Sequence, residues 1–149
     1  MAFIDEIKER ARAEKKRIIL PEGMDRRVWE AAVTVIKENV ADVTVIATEE
    51  EVKEFSEGLD IEGIHIINPF TYPDLDRFIN DLVELRRMKG MTPGEARELL
   101  TSDYIYFACM MLRENQADGI VSGACHSTAN TLRPALQLVK TKPGNAIVS

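Results

Sequence analysis

Cysteine is scarce in this chain. Cys109 and Cys125 are the two in 149 residues, and they form neither a metal-type spacing nor a disulfide framework. Long apolar runs are missing as well: none approaches the roughly 20 residues that cross a bilayer as a helix. The opening stretch, MAFIDEIKERARAEKKR, is charged throughout where a signal peptide would carry an apolar middle. Cytoplasm is therefore the expected compartment, with no membrane partner. Basic charge is also short, with 19 Lys and Arg against 25 Asp and Glu and a net charge of -6, so nothing favours nucleic acid as a ligand. The eight glycines build no P-loop and no GxGxxG, and there is no HExxH. An ATP-driven kinase is disfavoured, and no metal ligand set is expected. There is no internal repeat, no low-complexity segment and no Gly/Ser linker.

What remains is an ordinary globular composition, 45% hydrophobic and 30% charged. A chain of this size buries about 70% of its unfolded surface, enough for one core, so residues 1–149 are expected to form a single domain. Short β-rich apolar runs at 17–21, 43–47, 64–68 and 119–122 alternate with segments of helical period near 3–16, 26–39, 49–57, 74–88, 94–101 and 104–115. The strand candidates are almost continuously apolar, as strands covered on both faces are. Alternation of this kind predicts an α/β fold with a mainly parallel, doubly wound sheet. Asp25 is placed to cap the second helix, and Thr92-Pro93-Gly94-Glu95 reads as a capping box with proline at the first helical position. Tyr104, Phe107, Ala108, Met111 and Leu112 mark one buried helix face. A further apolar run, Ala146-Ile147-Val148, begins just before the last residue and reads either as a strand at a sheet edge or, at least as well, as a strand cut short.

Chemistry concentrates at 119–142, GIVSGACHSTANTLRPALQLVKTK. A buried strand enters a turn of small polar residues (His126, Ser127, Thr128, Asn130, Thr131), and Arg133 follows, just before Pro134. Residues before proline avoid the α region, so Arg133 is expected at a bend, with Pro134 opening the next helix. This puts hydroxyls, amides and a guanidinium beyond the carboxyl end of a parallel strand, where open α/β sheets bind ligands and helix starts favour anions. The plain alternative is a capped strand–helix turn, and spacing by itself leaves the two readings level. Arg86-Arg87 reads first as the cationic end of a helix closed by Gly90. Asp25 reads as a cap before it reads as a base. Cys125 beside His126 is weak grounds for a thiol–imidazole nucleophile, because catalytic pairs meet in space.

The run at 117–144, ADGIVSGACHSTANTLRPALQLVKTKPG, strongly resembles the signature of the phosphate acetyltransferases and related butyryltransferases. RIILPEGMDRRVWEAA at 17–32, ELRRMKGMTPGEARELL at 84–100 and SDYIYFACMM at 102–111 follow the same family in the same order. The resemblance implies a three-layer α/β/α architecture akin to isocitrate and isopropylmalate dehydrogenases, of which this chain is the first of two domains. It implies an acyltransferase that moves acetyl between coenzyme A and phosphate, with CoA as a co-substrate, no covalently bound cofactor and a homodimer or larger assembly. In that view the CoA thiolate attacks acetyl phosphate directly. Arg133 is the catalytic phosphate clamp, Ser127 and Thr128 line the same pocket, and Arg86 rather than Arg87 is the second cation. The base and much of the CoA site belong to the family's second half, so this piece by itself is expected to be inactive. A butyryl- or propionyl-preferring enzyme and a non-catalytic anion-binding domain are the alternatives.

Overall fold

The structure is a computed structural model that describes residues 2–140. The apolar run at 146–148 lies outside them. Four strands, β1 (Lys16–Leu20), β2 (Ala41–Ile46), β3 (His65–Ile67) and β4 (Gly119–Ile120), form one sheet in the order β3-β2-β1-β4. Every pairing is parallel, with Ile18 beside both Val43 and Gly119, and Thr44 beside His65. From β1 the chain steps outward through β2 to β3, then returns to place β4 on the other side of β1. The strand order therefore reverses between β1 and β4, and open parallel sheets have their ligand crevice at such a reversal, beyond the strands' carboxyl ends.

Seven helices are described: α1 (Phe3–Ala13), α2 (Arg26–Glu38), α3 (Glu49–Phe55), α4 (Leu75–Leu85), α5 (Pro93–Ser102), α6 (Tyr104–Arg113) and α7 (Thr128–Pro134). They cover the sheet on both sides, which gives three layers. Alternation along β2 shows why. Val43, Val45 and Ala47 join Trp29 and Ala32 of α2 on one face, while Ile46 turns to the other with Ile19, Phe78, Leu82, Leu100, Phe107 and Met110. The rings of Tyr72, Phe78 and Phe107 stand 5.1–5.3 Å apart in this second layer, in tilted and edge-on arrangements that aromatic quadrupoles prefer. No helix among the described residues is long and apolar enough to cross a membrane.

Two sequence expectations need correcting. The stripe on α6 is not one face, because every residue from Tyr104 to Met111 is buried. The helix lies under α5 and α7 as well as against the sheet layer, so it has no solvent side. The box at Thr92 is half made: Thr92 Oγ1 accepts from the Glu95 amide at 3.2 Å, but the Glu95 carboxylate takes the Thr92 hydroxyl at 3.1 Å. A complete reciprocal box forms at Thr48 and Glu51 instead. Asp25 caps α2 as expected, accepting from the Arg27 amide at 2.9 Å.

Gly23 is where the first strand–helix turn touches the sheet. Its amide donates to the Ile46 carbonyl at 3.2 Å, and Trp29 Nε1 donates to its carbonyl at 2.9 Å. A Cβ at this position would overlap the Ile46 carbonyl oxygen and the Ala47 side chain. Gly94, in the first turn of α5, has open space around it. Urea denaturation should accordingly show Gly23→Ala losing about 2 kcal/mol or more, and Gly94→Ala neutral or up to about 1 kcal/mol more stable. Equal effects from the two changes would contradict the close approach.

Candidate active site

At the strand-order reversal the turn after β1 meets the loop after β4, and one side chain joins them. Glu22 is 1% exposed. Its Oε1 accepts from Ser122 Oγ at 3.1 Å and from the amides of Gly123 and Ala124 at 2.7 and 2.9 Å. Its Oε2 accepts from the Cys125 amide at 2.7 Å, the Cys125 thiol at 3.1 Å and His126 Nδ1 at 2.8 Å. Burial would raise the pKa of this carboxyl, but the His126 bond, the Cys125 and Ala124 amides and the thiol together hold it well below the ordinary carboxylate range. Three consecutive amides converging on one anion require an unusual backbone, and Gly123 supplies it with φ of 116°. Arg27 secures the same loop from outside, donating to the Ala124 carbonyl at 2.7 Å while paired with Asp25 at 2.6 Å. Asp25 is thus a cap and an ion-pair partner. The Arg27 bond, ahead of the opposing effect of burial, holds its carboxyl low.

The Cys125–His126 pair is divided by its shared acceptor. Sγ and Nδ1 lie 3.7 Å apart, yet both donate to Glu22 Oε2, so the imidazole is not turned to take the thiol proton. Cys125 is exposed as a residue, but loss of hydration around its sulfur first, and the bond to Glu22 second, push the thiol up to about 12. Ligand atoms of Glu22, Cys125 and His126 fall within 4.8 Å of one another, the spacing of a metal cage. The three groups are also hydrogen-bonded to one another.

Beyond the loop, Ser127 caps α7, its Oγ accepting from the Asn130 amide at 3.1 Å, and Thr128 is the first helical residue. The helix therefore starts before Pro134 and does not open on it. Proline sits inside, and Arg133 lies in mid-helix, contrary to the bend expected from the sequence. Pro134 lacks an amide and crowds the carbonyl one turn earlier, and the backbone widens at once into a π turn, Ala135–Val139, which absorbs the misfit. Arg133 is exposed, with Nη1 donating to Asn130 Oδ1 at 3.2 Å, and it borders a groove of about 410 Å³ with Ala129, Leu132, Leu136 and Gln137.

Arg86 is the C-cap of α4, followed by the turn Arg87–Lys89 and by Gly90 at φ 71°. Its Nε is buried and has no hydrogen-bond partner among the described residues. Arg87 is exposed and pairs with Glu84 at 3.3 Å. The two candidate cations share a neighbourhood. Tyr106, whose hydroxyl donates to Gln137 Oε1 at 2.6 Å, is raised by burial first and Asp103 second, and the positive fields of both Arg86 and Arg133 oppose that rise. Ser127 stands six residues before Arg133, about 9 Å of helix rise away, so the hydroxyls and the guanidinium are at opposite ends of α7.

A cleft of about 500 Å³ is lined by Arg17, Asp42, Thr44, His65, Ile66, Ile67, Met111 and Gln116, and includes no residue of the turn after β1 or the loop after β4. A family model described as phosphate acetyl/butaryl transferase matches residues 2–149.

The chain belongs to the phosphate acetyl/butaryl transferase family.

Among similar relatives are the phosphate acetyltransferases of Thermoanaerobacterium thermosaccharolyticum and Acetivibrio thermocellus. They are 47% and 45% identical over 149 residues, which is all of this chain and 45% of each relative. A solved phosphotransacetylase from Streptococcus pyogenes superposes with a TM-score of 0.88 at 37% identity, covering 99% of this chain and 46% of that one. One from Staphylococcus aureus gives 0.86 at 38%, covering 97% and 44%. The chain thus spans less than half the length of these family members.

Sequence reasoning placed Glu22 only on the strand–helix turn after β1 and gave it no role at the centre of this loop. Its available signal was a lone acid in Leu20-Pro21-Glu22-Gly23, at the carboxyl end of an apolar strand. Because the Cys125 thiol is pushed up to about 12, iodoacetamide at pH 8 should alkylate it at least tenfold more slowly than free cysteine, whose thiol titrates near 8.5. Mass spectrometry of the native protein measures this, and free-cysteine reactivity would contradict the locked loop.

Proposed function

We propose that this chain is the phosphate-binding half of a phosphate acetyltransferase, which transfers acetyl reversibly between acetyl-CoA and inorganic phosphate. The observation that carries the reading is the family match over residues 2–149, together with two arginines: Arg133, exposed beside a groove of about 410 Å³, and Arg86, whose buried Nε has no hydrogen-bond partner among the described residues. Acetyl phosphate is a compact anion, and attack on its carbonyl adds charge to oxygen. Fixed cations in a crevice stabilise that charge without reorganising, and positioning of the two substrates supplies much of the rest.

In this reading the CoA thiolate attacks the carbonyl carbon of acetyl phosphate. The carbon–oxygen bond to phosphate breaks and phosphate leaves with the electron pair. Arg133, exposed and tied only to Asn130, clamps the phosphoryl oxygens. Arg86, with its buried unpartnered Nε, is the second cation, and it has a donor to spare for an anion. Ser127 and Thr128 line the approach, the Ser127 hydroxyl still free to donate while its oxygen caps α7. The thiol-activating base and most of the CoA site lie in the remainder of the enzyme, which is cytoplasmic and works as a homodimer or larger assembly. The family description covers butyryl as well as acetyl transfer, and the relatives' names favour acetyl.

In the full-length protein, Arg133→Ala and Arg86→Ala should each lower acetyl-CoA formation from acetyl phosphate and CoA by about 100-fold or more, on the order of 3 kcal/mol of lost oxyanion stabilisation. Arg87→Ala, which removes a surface pair, should change it less than about threefold. The 149-residue chain by itself should turn over negligibly. Full activity in Arg133→Ala with an unchanged phosphate KM would overturn the clamp, and faster turnover of butyryl than acetyl phosphate would reassign the acyl group.

A further inference from the structure

Glu22 stands outside the chemistry just described, yet it is the most heavily bonded side chain at the crevice. The loop from Ser122 to His126 presents three successive amides, a hydroxyl, a thiol and an imidazole N–H to one point, and the Glu22 carboxylate fills that point. A cradle of successive amides is an anion site by construction. Here the anion comes from the protein itself. It is supplied by a residue two positions past β1, whose neighbour Gly23 is pinned to the sheet through the Ile46 carbonyl.

Two consequences follow from that placement. The loop runs without a break into the Ser127 cap and α7, so the carboxylate fixes where the helix bearing Arg133 begins. The cradle, its donors already satisfied by a negatively charged side chain, also repels a second anion at the same crevice. We propose that Glu22 is a positioning residue that plugs the amide cradle and thereby steers phosphate away from it, toward Arg133 and Arg86. This rests on the phosphate-binding reading of the site, and it adds a residue that acts through the loop without touching the reacting atoms.

The test uses the full-length protein with Glu22→Gln, which keeps the side-chain shape, removes the charge and points an amide N–H₂ at the donors. The steady-state KM for phosphate should rise at least tenfold while the KM for acetyl-CoA changes less than twofold. Iodoacetamide should modify Cys125 at least tenfold faster than in the parent, with buried Cys109 (its thiol also pushed up to about 12, by burial and then Asp103) as the unreactive internal control. Inorganic phosphate at tens of millimolar should slow Cys125 modification in Glu22→Gln, as it competes with the uncharged amide for the cradle, and should leave the parent's rate unchanged. Faster alkylation with no phosphate protection and an unchanged phosphate KM would reduce Glu22 to a structural fastener and overturn the steering. Should Glu22→Gln fail to fold, His126→Ala removes one donor and should move the same three readings in the same directions by about threefold; no movement overturns the proposal. If the protein made no acetyl-CoA at all, the alkylation arm would still report on Glu22, so failure of the two readings is separable.

Discussion

The crevice depends on a buried carboxylate whose lost hydration is replaced by donors of one loop. Taking a carboxylate out of water is costly unless donors replace the lost hydration. Glu22 has six of them within 3.1 Å, and the loop that offers them has few other partners for its amides. Each side satisfies the other: the loop amides need an acceptor and the carboxylate needs donors. Because the folded pKa is lowered, this contribution is fully present above the ordinary carboxylate range and is lost only as pH falls through the depressed value. At neutral pH the join between the β1 turn and the β4 loop is therefore always made.

That join explains the separation of charge at the site. Positive groups near the reversal divide into two sets. Arg27 is bonded to Asp25 and the Ala124 carbonyl and serves the loop. Arg86 and Arg133 have no carboxylate partner among the described residues. A net-acidic protein can bind an anion in this way only if its free guanidinium groups are held apart from its carboxylates, and the fold does so by occupying the acidic group at the crevice internally. The π turn after Pro134 belongs to the same arrangement. It lets α7 run straight through Arg133 into the segment whose Gln137 and Leu138 are bonded to α6 through Tyr106 and Arg113.

Much of the framework was legible in the sequence because it follows from local rules. Apolar runs gave the four strands to within a few residues, Asp25 and Thr92 announced their helices, and strands spaced by helices implied the parallel sheet. The corrections all have tertiary causes. The full burial of α6 depends on what lies above it, which a stripe of residues does not reveal. The course of the chain through Pro134 was misread because a π turn can absorb what an α-helix cannot. Arg86 and Arg133 were singled out through the family resemblance more than through spacing, since their shared neighbourhood at Tyr106 exists only in the folded chain. The role of Glu22 was missed for the same reason: its partners are about 100 residues distant in sequence, and nothing local marks a carboxylate as buried.

The account is tested most directly by a crystal structure of the full-length protein with phosphate bound. Phosphate oxygens should sit against the Arg133 guanidinium, with Arg86 as the second cation and Glu22 still bonded to the amides of Gly123, Ala124 and Cys125. Phosphate lodged on those amides with Glu22 displaced, or an Arg133 side chain directed away from the bound anion, would contradict it.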